Sequence, residues 1–317
     1  SIGNRTILVY MAADQRGTSS NLSKFVSGDL NEMKEGWAQM NTLGMHLLIY
    51  VDDGSRDHTV AEVKKLIEAD SRVHLLSFSR NFGKEAAIYA GLEKCRGDYA
   101  VFLDADLQDP PSLLPEMFSY IEQGYDSVAT RRVTRKGEPK IRSFFARCFY
   151  RLMHKISKTE IVDGARDYRL MTRQVVDAIL SMPEYNRFTK GIYGWVGYET
   201  KWLEYENIER KKGETKWSFW KLFVYSIEGI TSFSTAPLAL AALMGVLFCI
   251  LAFVFLIFIW ARAMIFGDKT SGWPSLVCII LLISGVQFFC MGILGQYLAK
   301  TYLEVKRRPI YLIKEDL

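Results

Sequence analysis

Short apolar runs and amphipathic stretches alternate along the first part of the chain. "TILVYMAA" (6–13) and "MHLLIYV" (45–51) read as strands, and Val73–Phe78 and Tyr99–Leu103 add two more. Helix-like stretches lie between and after them, at Leu22–Met40, Thr59–Ala69, Gly83–Lys94 and Leu113–Gln123. Strands and helices alternating at this spacing predict an α/β fold, with a mostly parallel sheet and helices on both faces. In such sheets a ligand sits beyond the carboxyl ends of the strands.

The second half changes character. Ala236–Trp260 is a run of 25 residues without a charge, and Gly272–Ala299 is a run of 28. Each exceeds the roughly 20 residues that cross a bilayer, and Trp260 and Trp273 stand where interfacial aromatics are expected. The pattern predicts a transmembrane hairpin; a pair of buried core helices is the alternative. Two further segments read as interfacial amphipathic helices. In "SFFARCFYRLMHK" (143–155), apolar residues at helical spacing interleave with Arg147, Arg151, His154 and Lys155. "ETKWSFWKLFVYSIEGITSF" (214–233) is aromatic and runs into the first span. A short strand-like piece is the first apolar run, so no signal peptide is expected.

Charge sets the orientation rather than the class. With 40 basic and 35 acidic residues the net charge is +5, too mild to argue for nucleic acid. The basic residues cluster at the outer flanks of the hairpin: Arg210, Lys211, Lys212, Lys216 and Lys221 before it, and Lys300, Lys306, Arg307 and Arg308 after it. The connecting loop has only Arg262 and Lys269, offset by Asp268. The positive-inside rule then puts the large N-terminal part and the C-terminus in the cytoplasm, on a multi-pass membrane protein. Five cysteines, none in CxxC spacing, indicate neither a disulfide framework nor a zinc site.

Two acidic pairs fall at predicted strand ends, Asp52 with Asp53 and Asp104 with Asp106. A turn at Ala105 would let Asp104 and Asp106 converge. Such oxygen ligands suit Mg²⁺ or Mn²⁺, ions that also take phosphate oxygens, which makes a nucleoside diphosphate the natural cargo. Asp104 as a turn cap beside Pro110 and Pro111 is the plainer reading of the same residues. Arg131 and Arg132 open a basic stretch, "RRVTRKGEPKIR" (131–142), and suit phosphate oxygens or a solvated surface.

"VDDGSRDHT" (51–59), "SRNFGKEAA" (79–87), "DADLQDPP" (104–111), "RDYRLMTR" (166–173), "NRFTKGIYGWVGY" (186–198) and "KGETKWSFWKL" (212–222) occur in that order. Together with the hairpin, they resemble the family-2 inverting glycosyltransferases that load a polyprenyl phosphate with a sugar. Bactoprenol glucosyltransferases and dolichyl-phosphate mannosyltransferase-like enzymes form the subgroup. The resemblance covers about residues 45–300 and implies a glycosyltransferase-A-like fold. It further implies a metal-dependent hexosyltransferase that takes a nucleoside-diphosphate sugar, UDP-linked by first expectation, and undecaprenyl or another polyprenyl phosphate. Glucose is the first expectation, with GlcNAc and galactose open, and the product would serve cell-envelope glycans such as lipopolysaccharide or teichoic acid.

Residue by residue, the resemblance makes Asp53 the nucleotide-facing acid, with Asp52 orienting the turn. Asp104 becomes the first acid of the metal and diphosphate motif and Asp106 the direct metal ligand, while Gln108 and Asp109 lie near the sugar or acceptor. Asp167 matches an acid that positions the acceptor or acts as base; helix capping or pairing with an arginine is its other reading. Arg169, Lys216 and Lys221 are expected to hold the anionic lipid head. The chain departs from the family at its first strand, where "VYMAADQRGTSSNL" (9–22) replaces a proline-x-tyrosine-asparagine-glutamate segment and leaves Asp14 or Gln15 as substitutes.

The expected organisation is a catalytic domain at 1–210, a juxtamembrane amphipathic segment at 211–234, the hairpin at 235–300 and a basic tail at 301–317. The hairpin glycines and amphipathic segments are also surfaces on which a homo-oligomer could form. A non-catalytic scaffold binding a nucleotide sugar or lipid, and a processive polysaccharide synthase, are the competing readings.

Overall fold

The structure, a computed structural model, describes residues 5–11, 45–55, 58–104, 110–132, 162, 164–205, 227, 230–231, 234–266 and 272–317. The expected helix at 22–40, the basic stretch from 133 onward, the amphipathic segment 143–155 and most of 214–233 lie outside these residues, as does most of the atypical 9–22 stretch.

Among the described residues eight strands form one sheet: β1 (Arg5–Met11), β2 (Met45–Asp52), β3 (Val73–Phe78), β4 (Tyr99–Asp104), β5 (Ser127–Arg132), β6 (Ala165–Thr172), β7 (Thr200–Tyr205) and β8 (Ile313–Asp316). Their order is β7-β5-β6-β4-β1-β2-β3-β8. The pairings β4-β1, β1-β2, β2-β3 and β5-β7 are parallel, whereas β6 runs antiparallel to both β4 and β5, and β8 antiparallel to β3. The expected mostly parallel sheet is therefore corrected to a mixed one. Strand β6 lies beyond the last regular strand-helix repeat, where the sequence no longer signals direction.

Burial follows from the strand sequences. In β2 and β4 the apolar run is continuous, so alternate residues feed two cores on opposite faces. Leu48, Tyr50, Val101 and Leu103 pack with α1 (Thr59–Ala69) and α3 (Leu114–Glu122) through Val63, Met117 and Phe118. Ile49, Val51, Ala100 and Phe102 face α2 (Lys84–Lys94), α4 (Arg173–Leu180) and α5 (Thr189–Trp195) through Ala87, Ile88, Val176 and Ile192. Helices thus cover both faces, as expected. Truncating a fully buried ring such as Phe102 to alanine would cost about 3–5 kcal/mol.

The hairpin consists of α6 (Ala236–Phe266) and α7 (Trp273–Val305). At about 1.5 Å per residue, the 31 residues of α6 exceed a hydrocarbon core of ~30 Å. Ala236–Phe255 and Leu282–Val305 are the candidate spans. Leu243, Phe253 and Phe288 point outward at 65%, 65% and 72% exposure, so these are not core helices of a water-soluble domain. Ser234 Oγ accepts from the Ala236 N–H at the start of α6, and Tyr297 Oη donates to the Ser234 carbonyl at 2.5 Å, tying the two helices together at one end.

The last residues rejoin the sheet. Leu75 and Leu317 exchange backbone hydrogen bonds, Tyr311 stacks on Phe78 at 5.1 Å, and Lys64 and Lys94 pair with Glu315 and Asp316. The segment expected as a tail after the hairpin thus supplies the edge strand β8. Because β3 precedes the hairpin and β8 follows it, the chain leaves and re-enters the same side of the membrane.

Candidate active site

Parallel pairing puts the carboxyl ends of β1, β2 and β4 on one edge. Register aligns Asp52 with Met11 and Asp104 with Tyr10, so the two acids stand on strands flanking β1, ~10 Å apart at ~4.8 Å per strand. Strand β6 brings a third acid: Arg169 pairs with Phe102, and continuing that register sets Asp167 beside Asp104. Residues separated by more than a hundred positions meet on this edge.

Asp52, Asp53 and Asp167 each have a defined partner. Asp52, 2% exposed, accepts from the Ser55 N–H at 3.1 Å and the Ser77 hydroxyl at 2.8 Å, which holds the turn after β2. Asp53, equally buried, accepts from the Phe82 N–H at 2.7 Å and the Gly83 N–H at 3.0 Å, fastening the entry to α2. Between these anchors Gly54 has φ of 72°, and a Cβ there would lie 2.4 Å from the Arg80 carbonyl carbon. Only glycine fits where two loops touch backbone to backbone.

Asp167 accepts from Lys84 Nζ at 2.6 Å. Burial by itself would raise the Asp167 carboxyl, but Lys190, Lys84 and Arg166 overturn that and hold it well below the usual carboxylate range. The next residue along, Glu85, accepts from the Thr189 N–H at 2.8 Å and from its hydroxyl, so α2 and α5 are locked together behind the pair. Lys84, Glu85, Thr189 and Lys190 were assigned no role from sequence. Lys84 and Lys190 lie inside the quoted "SRNFGKEAA" and "NRFTKGIYGWVGY", but only the fold reveals that Lys84 meets an acid 83 positions away.

Arg131 and Arg132 end β5 on the same edge, and Arg131 forms an exposed ion pair with Glu204. Arg169 sits one layer deeper, 4% exposed, with its guanidinium 4.1 Å from the Tyr193 ring centre and 5.3 Å from that of Trp202. Its Nη1 donates to the hydroxyls of Ser127 at 3.1 Å and Thr200 at 3.5 Å, while its Nε has no partner. Burial pulls its guanidinium down to about 10, a value that still leaves it charged at neutral pH. It borders a cavity of about 230 Å³, lined also by Val162, Arg166, Lys190, Tyr193 and Trp202. The expected lipid-head arginine is therefore buried inside the domain. Asp106, Gln108, Asp109, Lys216 and Lys221 lie outside the described residues, and Asp104 and Arg132 are described by backbone only. Among the described residues no cluster of acids, histidines or cysteines forms a metal site.

An α/β domain that gathers acids and cations at the carboxyl ends of its strands, carried on a membrane hairpin, has the architecture of a membrane-attached domain that binds its ligand at that edge. The model of glycosyl transferase family 2 matches residues 46–180. A putative glycosyltransferase, CsbB, of Bacillus subtilis (strain 168) is 41% identical over 268 residues, covering 84% of this chain and 81% of that protein. The prophage bactoprenol glucosyl transferase homolog of Escherichia coli (strain K12) is 41% identical over 267 residues, covering 84% and 87%. The bactoprenol glucosyl transferase of Shigella phage SfII is 40% identical over 269 residues, covering 85% and 87%. The chain belongs to glycosyl transferase family 2, and it is a membrane-bound glycosyltransferase with an α/β domain.

Proposed function

We propose that the chain transfers a hexose, glucose first, from a nucleoside-diphosphate sugar, UDP-linked first, to undecaprenyl or a related polyprenyl phosphate. Inversion at the anomeric carbon accompanies transfer. One observation carries the reading: the edge holding Asp52, Asp53, Asp104 and the Lys84–Asp167 pair belongs to a domain tied at both ends to a membrane hairpin. The relatives named as bactoprenol glucosyl transferases support it. The basic flanks of the hairpin support a cytoplasmic catalytic domain.

In this reaction an oxygen of the acceptor phosphate attacks the anomeric carbon, the bond from that carbon to the diphosphate oxygen breaks, and the nucleoside diphosphate leaves with its electron pair. A phosphate monoester has a second pKa near ~6 and is already mostly ionised at neutral pH, so no strong base is required. Asp167, paired with Lys84 and low in proton affinity, suits positioning better than proton abstraction. It orients Lys84, whose ammonium supplies positive charge for phosphate oxygens. Arg166, Arg169 and Lys190 line one cavity, which this reading assigns to the acceptor.

Asp52, Asp53 and Asp167 spend their carboxylates on protein donors. The family resemblance gives Asp104 and Asp106 as the pair to hold Mg²⁺ or Mn²⁺, with Asp106 the direct ligand. When bound, the ion neutralises charge on the leaving diphosphate. On this reading Gln108 and Asp109 are assigned to the sugar or acceptor, Arg131 and Arg132 to phosphate oxygens, and Lys216 and Lys221 to the anionic lipid head.

The test is reconstitution of the purified chain with undecaprenyl phosphate and Mg²⁺ or Mn²⁺, a panel of nucleoside-diphosphate sugars, and mass spectrometry of lipid-linked sugar. One donor should give product, and Asp106→Asn should abolish it. Metal-dependent nucleotide binding without product from any donor overturns the transfer.

A further inference from the structure

The junction between hairpin and domain contains a contact that nothing in the transfer chemistry uses. Glu304 lies in the last turn of α7, beyond the uncharged run that ends at Ala299. Its Oε1 accepts from the Asn186 N–H at 2.9 Å and from Asn186 Nδ2 at 3.0 Å, and its Oε2 accepts from the Tyr185 N–H at 3.0 Å. Asn186 Nδ2 also donates to the Lys300 carbonyl at 3.3 Å. Both oxygens of one membrane-helix carboxylate are thus taken by a single loop of the catalytic domain. Hydrogen bonds to a charged acceptor are among the stronger ones available, and three converge here.

The loop leads toward the site. Arg187, next in sequence, is 8% exposed, donates to the Met182 carbonyl and lies 4.5 Å from the Tyr89 ring centre on α2. Thr189, two residues on, is held by Glu85, the neighbour of Lys84. A continuous set of packed groups therefore runs from the end of the second span to the Lys84–Asp167 pair. The strand β8 attaches the same chain segment to β3 at a second point. One attachment would leave the hairpin free to swing; two fix its direction relative to the sheet edge.

We propose that Glu304 is a positioning residue that orients the catalytic edge toward the membrane surface, so that a membrane-embedded acceptor phosphate reaches Lys84 and Asp167. This rests on the polyprenyl-phosphate reading above. An acceptor free in solution does not need that orientation, and the nucleotide sugar does not either. Loosening the contact lowers the fraction of molecules facing the bilayer productively, and apparent affinity falls by that fraction.

The experiment compares wild type, Glu304→Ala, Glu304→Asp and Asn186→Ala as full-length protein. Transfer from UDP-glucose, or the donor turned over in the panel, is measured to undecaprenyl phosphate in proteoliposomes and to a ten-carbon prenyl phosphate in detergent. Glu304→Ala should raise KM for the bilayer acceptor about tenfold, keep KM for the donor, and stay within about twofold of wild type on the short acceptor. Glu304→Asp should recover part of the loss, and Asn186→Ala, which keeps the backbone donors, should fall between. Hydrogen exchange at the Tyr185 and Asn186 amides should rise in Glu304→Ala while β3 and β4 stay protected. An unchanged bilayer KM, or equal loss on both acceptors, overturns the proposal. If wild type transfers to neither acceptor the catalytic reading fails, and unaltered exchange at 185–186 independently removes the clamp.

Discussion

Replacing Lys84 with methionine keeps the stem of the side chain and removes the charge that faces Asp167. Lys84 and Asp167 have side-chain exposures of 34% and 16%, between an open surface pair and a buried one. Exposed pairs contribute ~0–1 kcal/mol, and breaking a buried one costs ~3–5 kcal/mol. An intermediate value of about 2 kcal/mol follows for Lys84→Met, because Lys190 and Arg166 still support the carboxylate. At ~2–4 °C per kcal/mol this lowers Tm by about 4–8 °C. Asp167→Asn should be the more damaging single change, about 3 kcal/mol, since it leaves Lys84, Lys190 and Arg166 around a neutral group. In that background Lys84→Met removes one of three repelling cations and should be nearly neutral, giving a coupling of about 2 kcal/mol. Unfolding of all four proteins in one detergent, followed by tryptophan fluorescence, supplies the cycle. Additivity within about 0.5 kcal/mol would refute the pair as a coupled unit.

Three further outcomes are expected. Gly54→Ala should lose nucleotide binding and at least ~2 kcal/mol of stability, because its Cβ meets the Arg80 backbone and its φ is positive; calorimetric binding at wild-type strength would contradict the close loop contact. The contribution of Asp167 should depend on acid, since its folded pKa lies below the unfolded value of roughly 3.9. The Tm gap between wild type and Asp167→Asn should therefore be constant above about pH 5 and shrink as pH falls toward 3; a gap that widens in acid excludes a depressed carboxyl. Asp53→Ala should free the amides of Phe82 and Gly83 and destabilise by about 2–3 kcal/mol, visible as faster exchange at those two amides; unchanged protection there would remove Asp53 as their anchor.

Some of this was legible in the chain itself. The runs around Val51 and Leu103 are continuous in apolar character because both sheet faces are covered, and that pattern is local. The hairpin was equally plain, since an uncharged run longer than a bilayer is thick needs no tertiary information. Asp52 reads as a turn-orienting acid, and its carboxylate accepts from the Ser55 N–H three residues on.

What escaped were the pairings across the fold. Nothing near Asp167 announces Lys84, nothing near Asn186 announces Glu304, and the reversal of β6 has no signature in its own residues. Arg169 read as a cation for a lipid head, and its burial against Tyr193 and Trp202 was not legible, because charge is visible in a sequence and burial of charge is not. The C-terminal residues read as a basic tail, yet they close the sheet beside β3, a pairing set by an edge formed more than 200 residues earlier. Residue type and period alone determined the α/β class, the membrane hairpin and the acids at the strand ends, since those depend on neighbours within a few positions. Only the tertiary structure decided which acid meets which cation and how the hairpin is fastened to the catalytic edge, because those interactions join groups that the chain keeps far apart until it folds.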